Sequence, residues 1–276
     1  ASGGSPVIES VSGDIHLIGQ ANPGAGVGIL LGSSSAPTHG GQIISSGTAT
    51  IALEAIGGST GIRSDANSVN RIGTGTGGAP VASGNIALIA DTIGLSNGTT
   101  QIQSTGNLLI QPRTTTTTIG LGNSALGTLN LTNAELDTIQ DGFASITIGH
   151  ASGSGAMDVR GYTFKDNLIL RTPIGNGDIT LNGALATGSG SQAGTITLQA
   201  GRSILGISGA SLTTQGEEIV FNADRDQGTG TDTGGGNIQL TGTDVASNGG
   251  GIIMGGGTNP LTIAAIGMGT GSNAQK

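Results

Sequence analysis

Between Ser145 and Leu181 one short word recurs at fixed spacing: Ile146-Thr147-Ile148, Met157-Asp158-Val159, Leu168-Ile169-Leu170 and Ile179-Thr180-Leu181. The word is apolar, polar or variable, apolar, and successive copies start 11 residues apart. Alternation with period two is the signature of a half-buried strand, its apolar side turned inward. Strands this short and evenly spaced cannot each build a core, so they must share one. The spacing predicts a β-solenoid, with two strands to a 22-residue coil in this stretch.

The same word extends outward in both directions. Upstream it reads Gly13-Asp14-Ile15-His16-Leu17, Thr50-Ile51-Ala52-Leu53, Gly84-Asn85-Ile86-Ala87-Leu88, Gly106-Asn107-Leu108-Leu109-Ile110 and Gly127-Thr128-Leu129-Asn130-Leu131. Downstream it reads Gly194-Thr195-Ile196-Thr197-Leu198, Ile219-Val220-Phe221, Gly236-Asn237-Ile238-Gln239-Leu240 and Leu261-Thr262-Ile263. The wide early gaps hold further strands at Gly26–Leu30, Gln42–Ile44 and Ile72. With roughly 21 residues per coil, the span predicts about 12 coils. The expected fold is all-β, a parallel β-helix forming one domain over residues 1–263. The one helical signal is Thr132-Asn133-Ala134-Glu135, a capping-box pattern. It predicts a short helical turn within 132–142. Residues 264–276 read as a mobile or intermolecular tail.

Composition agrees with a stacked interior. Of 276 residues 55 are glycine, 9% are charged, 1% are aromatic and none is cysteine. Average usage is about 7% glycine and about 25% charged. Branched aliphatics stack well along a narrow tube, and glycine supplies corners with positive φ. Absence of cysteine excludes disulfide and thiolate-metal scaffolds. The formal charge is −8, and the seven arginines are scattered singly. The chain therefore lacks the basic clusters that bind nucleic acid or anionic lipid. No apolar run approaches the ~20 residues of a membrane span. The start at Ala1 reads as that of a processed or excised piece.

The recurring Gly-Asn/Asp-Ile-x-Leu words, set between Gly/Thr/Ser-rich stretches, resemble filamentous-haemagglutinin-type exoproteins of bacterial two-partner secretion. The blocks Leu129–Gly149 and Gly177–Leu185 are similar to segments of very long β-strand-repeat surface proteins of the cyanobacterial type. The resemblance implies a right-handed parallel β-helix exported across the outer membrane to the cell surface or medium. It also implies a role in adhesion or matrix formation, without catalysis in the repeats. Asn22-Pro23-Gly24 only faintly echoes the secretion domain of such proteins, so the resemblance is to an interior segment.

Few motifs carry chemistry. Gly73-Thr74-Gly75-Thr76-Gly77-Gly78 fits the dinucleotide pattern, but no helix signal follows it. Gly57-Gly58-Ser59-Thr60-Gly61 fits the nucleophile-elbow pattern without the strand-to-helix context. His16, His39 and His150 lack metal-ligand spacing, and His16 takes an outward strand position. Asp158 also points outward, and one coil on stands Thr180, so no acid pair forms there. Glu135, Asp137 and Asp141 share the helical turn and could form a local acidic patch. The densest charge cluster, Asp224-Arg225-Asp226 with Asp232, offers oxygen ligands for one Ca²⁺. Phe143, Tyr162 and Phe164 gather near Arg160, Lys165 and Arg171. Tyr162 with Arg160 is the candidate contact for a sugar ring, against the preferred alternative that Phe143 and Phe164 fill the wider cross-section where the helical turn packs.

The expected function is that of a structural, adhesive extracellular rod with no catalytic residue. Its expected partners are further copies or coils stacked end to end, and cell-surface or matrix glycans. A self-assembling filament subunit is the first alternative. A carbohydrate-active β-helix enzyme using the 224–232 cluster is the second.

Overall fold

The computed structural model describes residues 5–22, 24–32, 40–75, 81–226 and 235–257. These residues form 26 strands, one single-turn α-helix and one 3₁₀ turn. Every pairing between named strands whose register is resolved is parallel. The fold is a parallel β-solenoid. The described residues of Ala1–Arg113 with Asn133–Ile146 form one compact unit, and those of Thr114–Thr132 with Thr147–Lys276 form another.

In the first unit the coils run through three sheets, and the first three coils place a strand in each of them. One sheet stacks Val7–Ser10, Gln42–Ser45, Asn70–Gly73 and Thr100–Gln103. The second stacks Ile15–Gln20, Ile51–Ile56, Ile86–Ile89 and Asn107–Gln111, and the third Val27–Leu31, Thr60–Ser64 and Ile93–Gly94. The helical turn at Asn133–Leu136 leads into a parallel bridge between Ile139 and Ile102. Ile102 N–H donates to Thr138 O (2.9 Å) and Gln140 N–H donates to Ile102 O (3.0 Å). This segment therefore serves as the next rung beside Thr100–Gln103, burying Leu136, Ile139 and Phe143.

The second unit repeats the plan. Ile119–Leu121, Met157–Val159, Ile179–Leu181, Ile204–Gly206 and Ile238–Leu240 stack on one face. Tyr162–Phe164, Ala184–Thr187, Ser211–Thr213 and Asp244–Ala246 stack on the next. Leu168–Thr172, Ile196–Ala200, Ile219–Ala223 and Ile252–Gly256 stack on the third. The 22-residue coil beginning at Met157 thus has three strands, not two, because Tyr162–Phe164 takes a face of its own. Stacked positions elsewhere are 36, 28, 25 and 34 residues apart. Many coils are therefore longer than the ~21 residues used to divide the span, and that division overcounts them.

The core lies in columns. Leu170, Leu198 and Phe221 stand in register and all are fully buried, as are Leu168, Ile196 and Ile219 beside them. Ile51, Ile86 and Leu108 repeat this in the first unit. Parallel stacking places like on like, so an alternating word buries its two apolar residues against the same pair in the next rung.

The Asn or Asp that opens many words also has a job. Its side-chain oxygen accepts the backbone N–H of the stacked residue one rung on: Asp14 from Thr50 (3.0 Å), Asn85 from Asn107 (2.9 Å), Asn167 from Thr195 (2.9 Å) and Asp178 from Ser203 (2.9 Å). These N–H groups sit at the strand starts, and the Asx oxygen links each to the neighbouring rung. Asn167 also accepts from the Thr195 hydroxyl at 3.2 Å. Asn167→Ala is expected to lower unfolding free energy by about 1 kcal/mol. Asn167→Asp, which keeps the acceptor, should recover most of it; denaturant midpoints of the two variants check this.

Candidate functional site

The outer surface of the second unit carries a groove of about 490 Å³. Its origin is a tight local doubling of the chain. Ile119–Leu121 pairs in parallel with Leu129–Leu131, so Ile119 stacks on Leu129 across a connection of only residues 122–128. A parallel crossover normally needs about a dozen residues or more. Here the turn closes through Gly122 (φ 95°) and Ser124 (φ 64°), and the backbones touch: a Cβ on Gly127 would lie 2.2 Å from the Gly120 nitrogen. The connection overhangs Gly120 and leaves Leu126 71% exposed at the groove rim.

Asp158 fixes this overhang. It stands in the middle of Met157–Val159, stacked between Gly120 and Thr180. Its Oδ2 accepts from Leu126 N–H (2.8 Å) and Arg160 Nε (3.0 Å), and its Oδ1 accepts from Asn182 Nδ2 (2.6 Å). Burial alone would raise the Asp158 carboxyl. The bonds from Asn182, the Leu126 N–H and Arg160, together with the Arg160 charge, outweigh burial and hold it below the usual aspartate value. The Asp158 side chain is 13% exposed and that of Arg160 is 38% exposed. Thr118, Thr128 and Ala156 line the groove on one side, with Thr180 and Asn182 along the other rung. Thr118 Oγ1 accepts from Thr128 N–H at 3.1 Å.

The arrangement offers hydroxyls, a carboxylate already occupied by three donors, and a guanidinium oriented through its Nε. It supplies hydrogen bonds and one apolar rim. It holds no pair of carboxylates: the residue stacked on Asp158 is Thr180, as the coil spacing predicts.

The other sequence-derived candidates lie elsewhere. Arg160 faces Asp158 in the groove. Tyr162 instead packs edge-on against Phe164, with ring centroids 4.9 Å apart. Phe164 is buried, and Tyr162 shares its strand face and stacks on the buried Leu185. Tyr162 and Arg160 are thus held by different partners. Asp224 adopts φ 48° in a turn, its N–H donating to Arg202 O (2.8 Å). Asp226 Oδ2 accepts from Gly175 N–H at 2.7 Å. Asp232 lies outside the described residues, as do His39, Leu261–Ile263 and the tail 264–276. Among the described residues no group of three or more His, Cys, Asp or Glu side chains could hold a metal ion. His16 Nε2 lies 3.6 Å from Glu54, which also pairs with Arg113 at 3.2 Å. His150 Nδ1 accepts from Ser152 N–H. Ser59 of the elbow-like pattern donates its hydroxyl to Gly26 O (2.9 Å), a rung-to-rung bond. Among the described residues, no helix is long and apolar enough to cross a membrane.

Sequence reasoning missed the groove because it took Leu129–Leu131 as an ordinary rung. The signal was present: Ile119-Gly120-Leu121 is the same apolar-x-apolar word ten residues earlier, separated by Gly122 and Gly127. No protein-family model matches the chain, no curated protein matches it, and no solved structure matches it.

Proposed function

We propose that the chain is a structural and adhesive segment of a large secreted or cell-surface bacterial protein, in the style of the filamentous-haemagglutinin exoproteins. One observation carries this reading. Strand register and interior columns are kept while positions stacked in successive coils lie anywhere from 22 to 38 residues apart. A fold that holds its core constant and lets its connections vary is suited to displaying surface loops at low cost to stability. Right-handed winding of the coils is part of the proposal, since parallel crossovers take that hand almost always.

A second reading, self-assembly into filaments, rests on a separate observation. Among the described residues, Val7–Ser10, Ile15–Gln20 and Val27–Leu31 are each hydrogen-bonded to a neighbouring strand on one side only. Val7, Ile8, Val11, Ile18 and Leu30 are exposed there. Open parallel edges with apolar side chains are templates for further strands.

Beads coated with the purified chain, tested on bacterial and host cell layers, check the adhesive reading. Attachment above that of beads coated with an unrelated protein is expected, with no release of reducing ends from polysaccharide. Fibres that grow with concentration under the electron microscope, without attachment, would favour assembly instead. Polysaccharide cleavage abolished by Asp226→Asn would overturn both.

A further inference from the structure

We infer that the groove under residues 122–128 binds an uncharged pyranose unit of a polysaccharide; this rests on the adhesive reading and gives it a site. Asp158 is not a requirement of the stack. Its stacked neighbours are Gly120 and Thr180, and the outward positions further along this face are Leu205 and Gln239. An aspartate this enclosed, on one rung alone, bonds to three groups that shape the groove: the Leu126 N–H, Arg160 and Asn182.

The geometry fits a sugar ring in four ways. The volume of about 490 Å³ falls in the roughly 300–1,000 Å³ range of small-ligand sites. Hydroxyl-bearing Thr118, Thr128 and Thr180 can donate and accept, as sugar hydroxyls do. Arg160 uses Nε on Asp158, leaving the outer guanidinium edge of a 38% exposed side chain toward solvent. Leu126, 71% exposed, presents the aliphatic surface on which the C–H face of a pyranose loses water.

Charge chooses among sugars. The Asp158 carboxylate and the Arg160 guanidinium form an ion pair at 3.0 Å, so the groove is neutral as a whole, within a chain of formal charge −8. Neither a uronate nor a sulfated unit gains from that field. The pre-fixed Arg160 and the clamped overhang lower the ordering cost of binding.

The test titrates the purified chain with neutral gluco-, galacto- and manno-oligosaccharides, and with oligogalacturonate and a sulfated oligosaccharide as charged probes. At least one neutral series should bind, and Arg160→Ala and Leu126→Ser should each weaken it at least about tenfold. Both residues have exposed side chains, so melting temperatures should confirm that the variants stay folded. Tyr162→Phe should leave affinity unchanged. Absence of neutral binding, preference for the charged probes, or binding indifferent to both variants would overturn the inference. Cell attachment by beads in the absence of oligosaccharide binding removes the groove and leaves the adhesive reading. Oligosaccharide binding without attachment does the reverse.

Discussion

Replacing Gly183 by alanine is expected to destabilise the second unit by about 3–5 kcal/mol, among the largest effects of any single methyl group in this chain. Gly183 turns the corner between Ile179–Leu181 and Ala184–Thr187. It sits on the corresponding corner of the previous rung, and an added Cβ would lie 1.1 Å from the Arg160 carbonyl oxygen and 2.2 Å from its carbon. Both are backbone atoms, so no side chain can rotate away. Relief requires the rungs to part, and the bonds framing the corner would be lost with it: Asn182 N–H to Val159 O (2.7 Å) and Ser211 N–H to Gly183 O (3.2 Å). Asn182 would also be drawn from Asp158, so the groove should open as stability falls. Denaturant unfolding of Gly183→Ala measures the loss. Gly235→Ala is the control, because its Cβ meets nothing within 4 Å and its backbone needs no left-handed conformation. It should be neutral or gain up to about 1 kcal/mol through the unfolded chain. Equal behaviour of the two variants would refute the corner contact.

Leu198→Asn should be at least as damaging, for a different reason. Leu198 is fully buried between Leu170 below and Phe221 above, in strands paired residue for residue. Truncation to alanine alone should cost about 2–5 kcal/mol. Asparagine adds a buried amide in a column with no side-chain hydrogen-bonding group, worth about 1–3 kcal/mol more. The sum approaches the whole stability of an ordinary domain. The expected result is a unit that no longer unfolds as one cooperative step, with amide-exchange protection lost first at Leu168–Thr172 and Ile219–Ala223. Leu198→Met, which keeps the volume, should cost less than about 1.5 kcal/mol. Retained protection in the asparagine variant would show that the column is not sealed from water.

These two positions illustrate two uses of glycine and apolar residues that differ in legibility. Leu198 is visible in Gly194-Thr195-Ile196-Thr197-Leu198, because alternation alone sets which side chain turns inward. Gly183 is one glycine among 55 in the sequence. Some of these are corners in left-handed conformation, such as Gly149 at φ 114°. Gly183 is instead required by close backbone approach, and that depends on a residue 23 positions away, Arg160. The Asx oxygens fall between: Asn and Asp recur visibly at the head of the word, but their partners one rung on become identifiable only once register is known.

The candidate site was legible in one residue. Arg160 was singled out beside Tyr162 by proximity in sequence, and the chain separates them. Arg160 leaves the strand end toward Asp158, while Tyr162 follows Gly161 (φ 150°) onto the next face and turns toward Phe164. Residues two apart across a corner need not share a face, whereas Asp158 and Leu126, 32 apart, are bonded.

The sequence by itself determined that the chain is all-β, that its strands stack in parallel and that aliphatic columns form the interior. Period-two alternation, repeated with near-identical words, admits little else when aromatics, cysteines and charge are so scarce. Only the tertiary structure decided how many faces each coil has, where the short 122–128 connection doubles the chain, and which outward residues meet. Those outcomes depend on register between segments from 10 to 38 residues apart, and register is a property of the stacked rungs rather than of any one word.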